Sequence, residues 1–398
     1  MMPEAAAELA RRHLAARART PARSRRQQIR LWSLRAIGWA LRHLPLPPAA
    51  APASRLLLIR PDHLGDLLFA TPALAHLRRV RSEAHITALV GPWGQPVLAN
   101  NPDVDELLVC PFPGFTRQPS PSLWDAYRLL IREARWLRQQ RFDEAIILRA
   151  DHWWGALLAA WAAIPARVGY AIPEVRPFLS QTRPYVAGQH AVVQNLRLVD
   201  PDLGAIVPAR HPLRFQPTIE DEQWAAQQLA CAARWVAIHP GAGAPVKAWR
   251  IEAWARVGDA LASQAGAQVV ITGGASEVPL AQAVAAAMRR EAVVLAGQTT
   301  LGQLGALLRR CALVLGPDCG PLHLATAVGT PTVHLFGPAD PRLFGPWGDA
   351  QRHRVIMAEW ACAPCHRLDY TDAELPEHGC IREISEERVL EAAFALLQ

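Results

Sequence analysis

The chain is expected to be an α/β protein of two Rossmann-like doubly wound domains facing a central cleft, behind an N-terminal helical and flexible extension. Three observations predict this. At 398 residues, 51% of them hydrophobic, the chain is long enough to bury two cores. Short apolar runs suited to buried parallel strands alternate with stretches of helical spacing, and the alternation runs through twice. A loop rich in Pro and Asp, Asp200 to Pro217, separates the two series. The expected organisation is therefore a basic extension and linker over 1–52, one domain over 53–217 and a second over 218–398.

The elements follow in order from local pattern. Pro45 to Ala53 reads as a linker. Arg55 to Ile59 is the first strand, and Leu67 to Val80 follows as a helix after the Gly65-Asp66 turn. Strands at His85 to Val90, Glu106 to Cys110 and Glu144 to Leu148 are separated by helices near 93–100 and 123–140, and a helix at His190 to Val199 ends the first series. After a helix at Ile219 to Leu229, the second series places strands at Trp235 to His239, Gln268 to Thr272, Ala292 to Leu295, Leu313 to Leu315 and Thr332 to Leu335. Helices at Ile251 to Gln264, Glu277 to Arg289, Leu301 to Arg310 and Leu322 to Val328 fall between them, and Ser385 to Leu397 closes the chain. Such folds bind ligands beyond the carboxyl ends of their strands.

Charge is unevenly spread. The net charge of +7 is concentrated in residues 1–50, where ten arginines face only Glu4 and Glu8, leaving the rest within one charge of neutrality. A general nucleic-acid surface is therefore not expected. Lys247 is the single lysine among 42 basic side chains, which suggests a position needing a compact, rotatable ammonium instead of a planar fork. The seven cysteines read as reduced thiols, Cys231 and Cys311 inside apolar runs among them. With no signal peptide and no apolar run of spanning length (the longest, Trp153 to Ala166, includes Gly155 and Pro165), the expected location is cytoplasmic.

Three segments carry chemistry. The first strand runs into Arg60-Pro61-Asp62-His63-Leu64-Gly65-Asp66, which lacks the G-x-G-x-x-G dinucleotide fingerprint but puts a carboxylate at a strand-to-helix turn. Asp66 there is either a base for a hydroxyl nucleophile or the cap of the helix over 67–80. The second is His239-Pro240-Gly241-Ala242-Gly243-Ala244-Pro245-Val246-Lys247, where small residues let backbone N–H groups approach an anion and the lysine supplies charge. The third is Gly316-Pro317-Asp318-Cys319-Gly320-Pro321-Leu322-His323, a strand end followed by a helix N-terminus. A diphosphate between the last two turns would meet Lys247 and that terminus, while Asp318 would hold sugar hydroxyls and His323 is structural or functional. Two D-x-D triplets, Asp103 to Asp105 and Asp200 to Asp202, read as turns.

Taken together, LLLIRPDHLGDLLFATPAL, HPGAGAPVKAW and LGPDCGPLHLATAVGTPTVHLFGP resemble, in order, the ADP-heptose:lipopolysaccharide heptosyltransferases, glycosyltransferase family 9. The resemblance covers roughly residues 55–395 and implies a GT-B fold, an acceptor-binding first domain and a donor-binding second one. It puts the family's catalytic base on Asp66 and its phosphate-binding lysine on Lys247. Its donor pattern falls on Asp318, Gly320 and His323, with Cys319, Gly320 and Pro321 beside the diphosphate, Gly241, Ala242 and Gly243 in the facing turn, and Glu277 near the donor nucleoside. It implies inversion at the anomeric carbon, a nucleoside-diphosphate sugar as co-substrate, no metal or other cofactor, and a glycan or lipid-linked acceptor of the bacterial cell envelope.

Cys362-Ala363-Pro364-Cys365-His366 matches a haem-attachment pattern, but no export signal accompanies it. Cys362, Cys365 and Cys380 have spacing that suits zinc, yet the chain is one thiol short of the cluster common in the resembled family, and free thiols are the expectation. Outside the resemblance, a basic helix around Arg30 to Arg42 bears two apolar stripes, Leu34/Ile37/Leu41 and Trp32/Trp39, which suit peripheral contact with the inner membrane or packing on the first domain. Two other functions share this architecture: a sugar-nucleotide epimerase, which needs no acceptor, and a nucleotide-sugar-binding protein without catalysis. Acceptor contacts are expected on loops near 91–95, 112–121 and 150–155.

Overall fold

A computed structural model describes residues 25–43, 54–116, 123–230, 232, 234–371, 373–375 and 378–398. The first 24 residues, the Pro45 to Ala53 linker, positions 117–121 of one expected acceptor loop and Cys231 lie outside the described residues. The chain divides into two compact units, one running to Val207 and the other spanning Pro208–Gln398.

The first unit contains α1 (Arg25–Arg42), β1 (Arg55–Arg60), α2 (Leu64–Leu68), α3 (Thr71–Val80), β2 (His85–Val90), α4 (Gln95–Leu98), β3 (Glu106–Val109) and α5 (Leu123–Gln140). It continues with β4 (Glu144–Ile147), α6 (Trp153–Trp161), β5 (Ala166–Tyr170), β6 (Gln181–Arg183) and α7 (Ala191–Val199). The strands form one parallel sheet in the order β3-β2-β1-β4-β5-β6. The run RLLLIR makes β1 central because its apolar side chains can be buried on both faces.

Where a single helix over 67–80 was expected, the chain breaks at Phe69 and Ala70. Pro72 lies in the first turn of α3, where its missing N–H costs nothing, but it could not continue a helix from α2. Asp66 consequently sits in the first turn of α2, and the caps of α2 and α3 are His63 and Ala70, neither with a side-chain capping bond. The capping alternative for Asp66 is thereby corrected.

The second unit contains α8 (Ile219–Gln228), β7 (Trp235–Ile238), a 3-10 turn at Pro245–Lys247, α9 (Ile251–Gln264), β8 (Gln268–Ile271), α10 (Val278–Ala287), β9 (Ala292–Val294) and α11 (Leu301–Arg310). After β10 (Leu313–Pro317) come α12 (Gly320–Ala327), β11 (Thr332–Phe336), α13 (Pro341–Phe344), β12 (His353–Met357) and α14 (Glu386–Leu397). Its parallel sheet is ordered β12-β11-β10-β7-β8-β9, the same winding as the first. Capping boxes at Thr218/Asp221 and Thr300/Gln303 start α8 and α11. Trp249 and Trp254 pack edge to face at 4.7 Å in the core, where Trp249 Nε1 donates to Ile384 O. Strands β5, β6 and β12 were not anticipated. Among the described residues no helix is long and apolar enough to cross a membrane.

Candidate active site

In the second unit the expected donor residues converge at the carboxyl ends of three adjacent strands, β10, β7 and β8. The crossovers leave in opposite directions from β7 and β10, so the loops beyond these two strands splay apart and open a crevice. Gly316 is packed tightly between the β7 loop and α12: a Cβ there would lie 2.4 Å from Leu322 Cδ2 and 2.7 Å from the His239 carbonyl. After β7 the chain passes through Gly241, Ala242 and Gly243 into the 3-10 turn that carries Lys247.

Lys247 Nζ reaches across to the end of β10 and sits 2.5 Å from Asp318 Oδ2. His323 Nε2, from the first turn of α12, lies 3.5 Å from the other carboxylate oxygen. Asp318 is only 6% exposed. Burial by itself would raise its pKa, but hydrogen bonding from His323 and the charge of Lys247 prevail and hold it down at about 2. In this structure, then, Asp318 is engaged by the lysine and the histidine, and those two side chains supply its polar partners. Cys319 caps α12, with Gly320 and Pro321 as its first residues, so the positive end of the helix opens beside Lys247.

Glu277 closes the third side. Its carboxylate accepts from Gly274 N at 2.7 Å and lies 3.7 Å from His239 Nε2. It is seated directly on Gly241, where a Cβ would come within 2.0 Å of Oε1. Burial lowers the His239 pKa, and its Nδ1 is 3.1 Å from Thr272 Oγ1. The motifs after β7, β8 and β10 thus form two polar groups, Lys247 with Asp318 and His323, and Glu277 with His239 and Thr272.

In the first unit Asp66 lies beyond β1, its side chain 38% exposed and its Oδ1 3.6 Å from Arg60 Nη2. Arg60 is buried and fixed from every side. Its Nε pairs with Asp62 Oδ2 at 2.6 Å, and Nη1 donates to Leu148 O and Asn195 Oδ1, both at 3.1 Å. Asn195 in turn donates to Phe69 O at 2.9 Å, tying α7 to the turn after α2. Asp62 also pairs with Arg149 at the end of β4, the strand beside β1. Burial opposes ionisation of Asp62, but the two guanidiniums outweigh it and lower the pKa. None of Arg60, Asp62, Arg149 or Asn195 was singled out from sequence. The available signal was the rule that the two central strand ends flank the crevice, which needs the strand order before it points to Arg149.

Beside this group His152 is buried, and neither ring nitrogen has a hydrogen-bond partner among the described residues. Phe112, Phe115 and Trp154 surround the ring, and desolvation pushes its pKa down to about 3, leaving it neutral.

The remaining candidates have structural partners. Asp105 accepts from Ile86 N at 2.7 Å, and Asp200 holds His76 at 2.9 Å and the Asp202 amide at 3.2 Å, so both D-x-D triplets serve turns. Cys362 and Cys380 pack in the second unit's core, and Cys365 Sγ meets Tyr370 OH at 3.6 Å. Among the described residues no group of three or more His, Cys, Asp or Glu side chains is placed to hold a metal ion.

Residues 130–374 match the model of glycosyltransferase family 9 (heptosyltransferase). The chain is 29% identical over 298 residues to lipopolysaccharide heptosyltransferase 3 of Escherichia coli, covering 71% of this chain and 82% of that one. It is 25% identical over 360 residues to lipopolysaccharide heptosyltransferase 2 of the same organism, covering 86% and 98%. Among solved structures it is similar to a glycosyl transferase family 9 protein of Veillonella parvula, with a TM-score of 0.71 at 25% identity over 86% of this chain and 97% of that one. It is also similar to ADP-heptose lps heptosyltransferase II of Escherichia coli, with a TM-score of 0.69 at 23% identity over 86% and 98%. Both likenesses extend over the two units, and the fold is GT-B.

Proposed function

From the premise that this chain belongs to glycosyltransferase family 9, the heptosyltransferases, and is a glycosyltransferase, we propose that it transfers heptose from ADP-heptose to the lipopolysaccharide core with inversion. The sugar and acceptor are those in the names of the relatives. The observation in the chain itself that carries the reading is the meeting of Lys247, Asp318 and His323 beyond β7 and β10, with Glu277 seated on the Gly241 turn. A cation, a helix N-terminus and a glycine turn at one place suit a diphosphate.

In the proposed reaction an acceptor hydroxyl attacks the anomeric carbon and gives its proton to Asp66. The bond from that carbon to the diphosphate oxygen breaks, and the ADP leaves with the electron pair. Lys247 and the amides of Cys319 and Gly320 stabilise its growing charge, and no metal takes part. Asp318 and His323 hold the lysine, Gly241 to Gly243 let the backbone approach the phosphates, and Glu277 faces the nucleoside. Arg60 holds the Asp66 carboxylate in place. A lipid-linked acceptor puts the enzyme at the cytoplasmic face of the inner membrane.

The test is ADP release and product mass with ADP-heptose and a core acceptor lacking the added heptose, in the presence of EDTA. Asp66→Ala is expected to abolish transfer while ADP-heptose still binds. Undiminished turnover in that variant would remove Asp66 from the mechanism, and conversion of the nucleotide sugar without acceptor would turn the reading toward an epimerase.

A further inference from the structure

Helix α1 resolves its two apolar stripes in opposite directions. Leu31 and Leu34 are buried, Ile37 and Leu41 pack at the edge of the first unit's core, and Gly38 lies so close to Pro177 that a Cβ would come within 2.6 Å. Arg30 rests over the Trp153 ring at 4.8 Å and pins the helix to α6. The opposite stripe is left outward: Trp32 is 71% and Trp39 64% exposed, with Ile29 beside them. Seven residues apart, the two indoles stand on one line two turns long.

The charge on this face has one sign. The helix contains no acidic residue, and Arg25 and Arg35 are exposed. In the 24 residues that precede it in sequence, five arginines oppose Glu4 and Glu8. Indoles flanked by guanidiniums fit the boundary between headgroups and acyl chains, where an apolar ring with a polar N–H and a cation on a long stem both find partners. A protein partner of matching acidity would satisfy the arginines, but two exposed indoles aligned along one helix face favour a fluid surface.

We infer that the outward face of α1 is a docking surface for an anionic lipid leaflet, seated by Trp32 and Trp39 and attracted by the arginines around them. The choice of a leaflet rests on the lipid-linked acceptor proposed above. Docking through this helix brings the first unit, which carries Asp66, to the surface that displays the acceptor.

The full-length protein is floated with vesicles of phosphatidylcholine alone and of phosphatidylcholine with phosphatidylglycerol. Binding is expected only to the second, weakening as salt is raised. Trp32→Ser/Trp39→Ser is expected to lower the partition coefficient about tenfold or more. Phe344→Ser, which alters an exposed aromatic in the other unit, is expected to leave it unchanged. Transfer to an acyl-free core oligosaccharide is measured on the same protein preparations without vesicles. The double variant matching wild type on anionic vesicles overturns the inference, as does wild type that fails to bind them, or a self-association lost in the double variant without any vesicle binding. Because the flotation contains no sugar and the transfer assay no lipid, failure of the docking surface and failure of the transferase reading are read separately.

Discussion

Replacing Lys247 by Met removes the ammonium 2.5 Å from a carboxylate that is almost fully buried. In the folded wild type Asp318 titrates at about 2 against an ordinary 3.8, a difference worth about 2 kcal/mol. Because the folded value is the lower one, this stability is present above pH 3.8 and is lost as pH falls toward 2. Without the lysine, burial is opposed by His323 alone, and an ion pair broken from one side in a buried place costs about 3–5 kcal/mol. The surviving histidine contact puts the expectation near the bottom of that range, about 3 kcal/mol at pH 7. The carboxyl then titrates higher in the folded variant, so the deficit shrinks as pH falls and protonation removes the stranded charge. Urea denaturation followed through the buried Trp249 and Trp254 measures this at several pH values. Lys247→Met/Asp318→Asn separates the lost attraction from the stranded carboxylate, because the double variant regains most of the stability. If the lysine also meets the leaving diphosphate, kcat falls on the order of a hundredfold or more in both variants. A Lys247→Met protein that loses under about 0.5 kcal/mol, with no dependence on pH, would refute the reasoning about the pair.

Two further substitutions probe the first unit. His152 has a folded pKa of about 3, below its ordinary 6.5, so the unfolded chain binds the proton first and stability falls as pH drops below 6.5. His152→Leu removes that penalty and two unpartnered buried nitrogens. It is expected to hold or raise stability at pH 7 by about 1 kcal/mol and to cut the loss between pH 7 and pH 5 by about 2 kcal/mol, read from urea midpoints. Arg60→Met removes a guanidinium 3.6 Å from Asp66 while Arg149 still neutralises Asp62. Transfer is expected to fall on the order of tenfold in kcat while ADP-heptose binding is unchanged, with part of the loss recovered in Arg60→Lys. An unchanged kcat with lowered stability would reduce Arg60 to a packing residue.

Legibility from sequence followed burial. Central strands such as β1, β7 and β10 were readable because burial on both faces demands unbroken apolar runs. The three strands that escaped notice break that rule. β6 and β12 are sheet edges with exposed residues, and β5 contains Gly169 and Arg167, the latter buried through bonds to the Phe178 and Pro165 carbonyls. The helix expected over 67–80 breaks at Ala70 because its Pro72 is a better helix start than helix middle. In the candidate site, Lys247 and Asp318 stood out because each lies in a short motif with turn residues around it, while Glu277 came only through the family resemblance. Arg60, Asp62, Arg149 and Asn195 were not, because their partnership exists only once β4 is beside β1 and α7 folds back on the turn after α2. A long-range pairing leaves no local periodicity to read.

Both sheets repeat one winding, and in each the polar groups hang from connections that leave the central strands after their last ladder bond. Scaffold and chemistry are therefore modular. The segments following β7 and β10 are expected to accept grafting as short cassettes from another member of the fold with little repacking of the hydrophobic layers beneath. Such chimaeras allow recognition on one half of the molecule to diversify while the other half keeps its own.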